Sequence, residues 1–500
     1  MSNRIMKKTF ASALAIISAA TFVPGSVIGT TIAPVAITAS AEAVSGDYTY
    51  EELSNGTVSI TKYNGTDTSV TIPSTINGKT VTRIGDNAFI KKTDIVNINL
   101  PSTVTEIGNF AFCACSSLTK VLIPESVTTL GRGVFASCTN LSGLVINAQL
   151  TEIPEGTFQK CASLTSVSIP DTVTSIGNTA FMECKNLETF TFPKNLTSIG
   201  KKAFYECETL HGIVLPAGVK EISEYAFGNC TTMNKIYFQN GLTTIGDSAF
   251  INCESIKNIT LPSTLKTIGT NAFANCKYLT AVTIPDSVTT LGTMAFTNCH
   301  ALTDVTLSKN LQTIAKGTFI STGITEIAIP EGVTSIEPVA FYNCKSLAKV
   351  SLPKSLTTVS DKAFGNCISL KNVEYNGTKA QLAAISVGTD NKALTGAAIT
   401  YNNNSSSSAY PVVTNILYNT QYHQFQLTWT PVQGAQNYGI AVYLAGRWKV
   451  QTQSIAASNT TFVSPKLTPG KSYKVVVAAK VNGKWDTSNL SKRAVTVTIK

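Results

Sequence analysis

Twelve cysteines and three histidines are the residues best suited to chemistry in this 500-residue chain. Eleven of the cysteines share one phase, each three residues after a phenylalanine: Cys115, Cys138, Cys161, Cys184, Cys207, Cys230, Cys253, Cys276, Cys299, Cys344 and Cys367. Only Cys113 lies outside it. Thiolates act as nucleophiles and metal ligands, but both uses need partner groups. There is no C-x-x-C pair, and His211, His300 and His423 are scattered, so metal is the weakest reading. No G-x-S-x-G, H-E-x-x-H, phosphate loop or dinucleotide fingerprint occurs. Carboxylate pairs such as Glu152 with Glu155, or Glu206 with Glu208, read as solvated charge. A free cysteine packs as a small hydrophobe. A buried column of reduced thiols is therefore the favoured reading, with disulfides between neighbouring repeats the first alternative. Cys113 is the candidate for an exposed reactive thiol. No catalytic residue, metal or cofactor is expected.

The elements that carry these residues follow from the phenylalanines themselves. Phe89, Phe112, Phe135, Phe158, Phe181, Phe204, Phe227, Phe250, Phe273, Phe296, Phe319, Phe341 and Phe364 are 23 residues apart, except for one step of 22 between Phe319 and Phe341. Stacked units of that length make a solenoid. Leu164 to Asn186, LTSVSIPDTVTSIGNTAFMECKN, is a typical unit. Val167 and Ile169 alternate as on a short strand, and Pro170 ends it. Val173 and Ile176 open a second apolar stretch. Ala180, Phe181, Cys184 and Leu187 fall on one face of a helical turn. Five of the thirteen repeats lack the glycine of the I-G pair, so its backbone needs no positive φ. At the short step the turn before Ile324 should lose a residue, with an unbroken ladder through Ile324 to Ile329.

The unit resembles the BspA-like, or Treponema-type, leucine-rich repeat, L-x-x-I-x-L-P-x-x-L-x-x-I-G-x-x-A-F-x-x-C-x-x. The resemblance covers about residues 82–373. It implies a bacterial secreted or surface protein with roles in binding and adhesion, and no catalytic residues.

The fold expected is mainly β with short helical turns: a leucine-rich-repeat solenoid of about thirteen 23-residue repeats, followed by a second β domain. Residues 1–43 read as a secretory signal peptide, with Arg4, Lys7 and Lys8 before an apolar run and A-x-A sites near residue 41. No other stretch could span a bilayer. Residues 44–81 read as an N-terminal cap, with Lys92 where later repeats carry cysteine. Residues 374–401 read as the opposite cap, and 402–409, rich in Asn and Ser, as a linker. Residues 410–500 carry short strand-like runs at turn-separated intervals, the pattern of a β-sandwich. Leu427-Thr428-Trp429, the alternating Tyr438, Ile440 and Val442, and Tyr473 ahead of Val475 and Val477 resemble a fibronectin type III domain. That resemblance implies a core role for Trp429 and a corner role for Tyr473.

Two surfaces are candidates for binding. On the strand face the outward positions are mostly small and hydroxylated. Lys120, Leu122, Val145, Val214, Lys235 and Tyr237 stand out, four of them apolar. In the C-terminal domain, Arg447, Trp448 and Lys449 form one basic and aromatic group, and Lys484 with Trp485 another. Ten of the 39 basic residues but only one of the 29 acidic residues fall in 410–500. Such a module suits anionic cell-wall polymer or acidic glycan, and nucleic acid is not expected. The reading is a secreted or cell-surface binding and adhesion protein whose repeats contact a protein or glycan, while the basic domain associates with envelope or matrix. A scaffold or spacer without specific ligand is the alternative, and an extracellular enzyme with an unrecognised site the remote one.

Overall fold

The computed structural model describes residues 42–401, 410–432, 434–487 and 490–499. The linker at 402–409 and all but the last two residues of the expected leader lie outside the described residues.

A typical repeat forms one coil with two short strands; in the coil at Asn258 the first strand is reduced to a single bridge to Ala281. In the typical unit the two strands are Ser166–Ser168 and Ser175–Ile176, and each pairs in parallel with its counterpart 23 residues on, Thr189–Thr191 and Ser198–Ile199. Alternation sends Val167 inward and leaves Ser166 and Ser168 exposed.

The third side of the coil is not the expected helical turn. Thr179 and Glu183, two residues before and after Phe181, have φ of 53° and 59°, and the equivalent positions of the other coils are likewise positive. An α-helix admits no such residue. Alternate N–H groups instead point along the stack. Thr179, Phe181 and Glu183 donate to Lys201, Ala203 and Tyr205 of the next coil, while Met182 and Cys184 close local turns onto Thr179 and Phe181. Every coil therefore spends its backbone donors on its neighbour, which is why one coil cannot fold alone.

The phenylalanines form a stack along the core. Consecutive centroids are 5.1 Å apart at Phe89–Phe112 and 5.3 Å at Phe181–Phe204, and every ring is fully buried. The stack does not begin at Phe89. Val58–Tyr63 pairs in parallel with Lys79–Ile84, and the Tyr63 ring stacks 5.1 Å from Phe89. Lys92, in the cysteine position, donates to Gly65 O at 3.0 Å and lies over the Tyr63 ring. Antiparallel strands Ala43–Ser45 and Tyr48–Glu52 cover the free edge of Val58–Tyr63. Phe89 is thus an interior residue with a ring on either side.

The glycine of the I-G pair has negative φ, as its replaceability requires, yet it serves closeness of approach. A Cβ on Gly200 would lie 2.5 Å from Asn178 N and Gly177 C of the preceding coil.

The strand ladder is interrupted at the short step, contrary to expectation. Glu326–Ala328 pairs with Lys349–Leu352 but, among the described residues, not with Asp304–Thr306. At the shortened turn Gly323 lies so close to the preceding coil that a Cβ there would be 2.5 Å from His300 O. Continuity passes instead through the second strands, Thr313–Ile314 with Ser335–Ile336, and through the Phe319–Phe341 stack at 5.4 Å.

The described residues between 410 and 499 form two antiparallel sheets. One holds Val413–Asn419, Gln424–Trp429 and Thr461–Val463. The other is built on Ala435–Leu444 and Ser472–Val481, flanked by Arg447–Ala456, Lys484–Trp485 and Val495–Thr498. Leu427 and Trp429 from the first share a core with Tyr438, Ile440, Val475 and Val477 from the second. Trp429 is buried edge-on against Tyr438 at 5.4 Å. The hydroxyl that ties a tyrosine back to the main chain is that of Tyr438, which accepts Val432 N–H at 2.8 Å. Tyr473, expected in that part, is half-buried beside Leu467 and Phe462.

Candidate binding face

The thiol column is structural in its contacts. Each in-phase cysteine donates to the carbonyl of the repeat phenylalanine one coil earlier, as Cys115 Sγ does to Phe89 O at 3.2 Å and Cys253 Sγ to Phe227 O at 3.1 Å. Burial pushes the thiols of Cys115, Cys184, Cys299 and Cys367 up to about 12, the direction opposite to activation. Cys113 is half-buried, and burial raises its thiol against the opposing pull of Lys91. It therefore lacks the activated character proposed for it. Thr322 holds the cysteine position of the short coil and turns back to its own Phe319 O at 3.0 Å.

The outward strand positions behave differently. Leu122, Val145, Val214 and Tyr237 are all about half exposed, at 49, 50, 56 and 56%. They form two patches. Val145 is the register partner of Leu122, and Val214 that of Tyr237. The serines and threonines of Ser166–Ser168 and Thr189–Thr191 lie between the patches. Each patch has a lysine beside a glycine: Lys120 opposite Gly143, and Lys235 opposite Gly212. A Cβ on Gly143 would fall 2.9 Å from Lys120 Cγ, and one on Gly212 would fall 3.1 Å from Lys235 Cβ. The missing side chain lets the lysine stem lie along the sheet with its ammonium at the rim.

The second patch is flanked by grooves. The pair Gly212–Val214 and Lys235–Tyr237 is unpaired on both sides among the described residues. A groove of about 580 Å³ runs between Thr191 and Val214, and another of about 680 Å³ between Tyr237 and Thr260. Aromatic residues lie beneath both grooves. Phe190 and Phe192 stand inward where most coils carry Val, Ile or Leu. Phe190 meets Phe204 edge-on at 4.7 Å, and Phe192 meets it at 5.5 Å. Phe238 does the same to Phe250 at 5.8 Å on the far side. Phe190 and Phe192 thus floor the first groove and Phe238 the second. These three phenylalanines were legible in the sequence as departures from the aliphatic pattern.

In the C-terminal domain the two basic and aromatic groups do not meet. Arg447–Ala456 and Lys484–Trp485 lie at opposite edges of the larger sheet. Trp448 is half-buried edge-on against Tyr443 at 5.2 Å, and Trp485 covers Gly439. Arg447, Lys449 and Lys484 are exposed. The domain's acid, Asp486, pairs with the buried Arg493 at 2.6 Å. Among the described residues no group of His, Cys, Asp and Glu could hold a metal ion, and no helix is long and apolar enough to cross a membrane.

Parallel coils with an inward leucine, phenylalanine and cysteine at fixed phase define a leucine-rich-repeat solenoid. The BspA type leucine rich repeat region matches residues 63–167, 151–280 and 266–385, and the chain belongs to that family. It is similar to a leucine-rich repeat protein from Bacteroides ovatus, 27% identical with a TM-score of 0.56, over 72% of this chain and 99% of that one. It is also similar to a leucine rich cell surface protein from Faecalibacterium prausnitzii, 30% identical with a TM-score of 0.47, over 69% of this chain and 97% of that one. No curated protein matches.

Proposed function

We propose that the chain is a secreted or cell-surface binding and adhesion protein without catalytic activity, whose repeat face engages a partner at a surface. Membership of the BspA-type family supports this, as does the likeness to a protein described as a cell surface protein. The observation that carries it is the Val214–Tyr237 patch, exposed between two grooves on the strand face. The two-sheet domain, which we read as fibronectin type III-like, associates with the envelope or matrix through its excess of basic residues.

The test is retention of the purified chain on host-cell and bacterial surfaces, beside a Val214→Asp, Tyr237→Asp variant. The wild type should be retained and the variant released. Equal retention of both on every surface would leave the repeats a spacer.

A further inference from the structure

The grooves beside Tyr237 carry charge of one sign. No Asp or Glu lines either of them. Three lysines do: Lys194, Lys235 and Lys257. Lys194 is neutralised by Asp171 at 2.9 Å, whereas Lys235 and Lys257 take part in no ion pair among the described residues. On the grooved face, the outward positions of the first strand of each coil from Thr189 to Thr283 include no acid. The two free ammonium groups therefore sit in a field that attracts an anion and offers it no competitor.

What surrounds them is suited to hydroxyls. Asn234, Asn258 and Gln239 present amides, each able to donate and accept, and Thr191 and Thr260 add hydroxyl groups. Tyr237 lies at the centre, half exposed, bordering both grooves. The face of such a ring is electronegative and attracts the C–H face of a pyranose. A protein partner would need more. A stable protein interface covers roughly 800 Å² per side around several aromatic or arginine anchors. Here the exposed large apolar side chains are one tyrosine and one valine, above grooves floored by the buried Phe190 and Phe192 and by Phe238.

We propose that the Tyr237 patch is a subsite for an acidic polysaccharide, a chain bearing uronic acid carboxylates, with Tyr237 under a sugar ring and Lys235 and Lys257 on the carboxylates. The proposal rests on the reading of the repeat face as a binding surface and gives that surface a ligand class.

The experiment measures binding of the full chain to polygalacturonate, dextran and poly-L-glutamate by biolayer interferometry. The basic residues of 410–500 attract any polyanion, so the differences between variants carry the answer. Tyr237→Ala should weaken polygalacturonate binding about tenfold, as loss of a central aromatic anchor does, and leave polyglutamate binding unchanged. The Lys235→Gln, Lys257→Gln variant should lose affinity for polygalacturonate and show a shallower salt dependence. Tyr278→Ala, an equally exposed tyrosine off the strand face, should match wild type. Equal polygalacturonate binding by wild type and Tyr237→Ala overturns the proposal. So does an equal loss on polyglutamate, which would mark an acidic protein as the partner. If surface retention still depends on Val214 and Tyr237 while uronate binding does not, the binding face stands and the ligand class falls.

Discussion

The thiol of Cys207 donates to the carbonyl of Phe181, one coil away, at 3.2 Å. The same contact recurs along the stack, so each cysteine joins its coil to the one before. Replacing Cys207 with alanine removes this donor and opens a small cavity, and should cost about 1–2 kcal/mol. Urea denaturation of the full chain measures it. An unchanged midpoint would show the thiols to be passive filling.

The same burial protects the column from reagents. Native protein treated with iodoacetamide near neutral pH should label slowly even at Cys113, and scarcely elsewhere. After denaturation without reductant, all twelve cysteines should label. Mass spectrometry reads both results. Bridged peptides from neighbouring coils would contradict them.

Raised thiol values also set a pH dependence. In the unfolded chain a thiol ionises near its ordinary 9.0, while in the folded chain Cys115, Cys184, Cys299 and Cys367 hold their protons to about 12. Above 9.0 ionisation therefore favours the unfolded state alone. Stability should be intact below that value and fall as pH rises towards about 12. The half-buried Tyr48, raised by burial to about 12, acts in the same direction. A Cys184→Ala variant isolates one thiol, and its urea midpoint should fall less steeply with pH. Parallel slopes for variant and wild type would refute the assignment.

Phe227 lies between Phe204 at 5.3 Å and Phe250 at 5.5 Å. Phe227→Ala should cost about 3–5 kcal/mol, as for other large buried truncations. Phe89 would pass for a weaker terminal site in the list of phenylalanines, but Tyr63 stacks on it as closely as Phe112 does. Phe89→Ala should therefore cost about as much as Phe227→Ala. Calorimetry of the two variants decides, and a clearly milder Phe89→Ala would show that the tyrosine end frays.

The period made the solenoid and its inward residues legible, because a fixed phase over thirteen units has no other packing. Tyr63 escaped notice because it is a different residue type at a different spacing from Phe89. The third side of the coil misled through its apolar spacing, which suits a helix. Its φ signs were partly written in Asn229, Asn252, Asn275, Asn298, Asn343 and Asn366, since asparagine tolerates the left-handed region. Those side chains also bond in series, Asn275 to Asn252 at 2.7 Å and Asn298 to Asn275 at 2.9 Å. The candidate residues of the strand face could be listed from alternation, but not the grooves, which Phe190, Phe192 and Phe238 line from below. Nor could alternation show that Trp448 and Trp485 belong to opposite edges.

Because each interior coil presents its neighbours with the same donors, acceptors and rings, a cut at one phase fits any other cut at that phase. Unequal recombination within the gene, gaining or losing whole repeats, would yield chains that still close. The length of the array, and with it the separation between the Leu122 and Tyr237 patches, is then free to drift between lineages in whole-coil steps. The coil from Phe319 to Phe341 is the exception: its short turn and Thr322 match no other unit, so crossovers there would leave a mismatched seam.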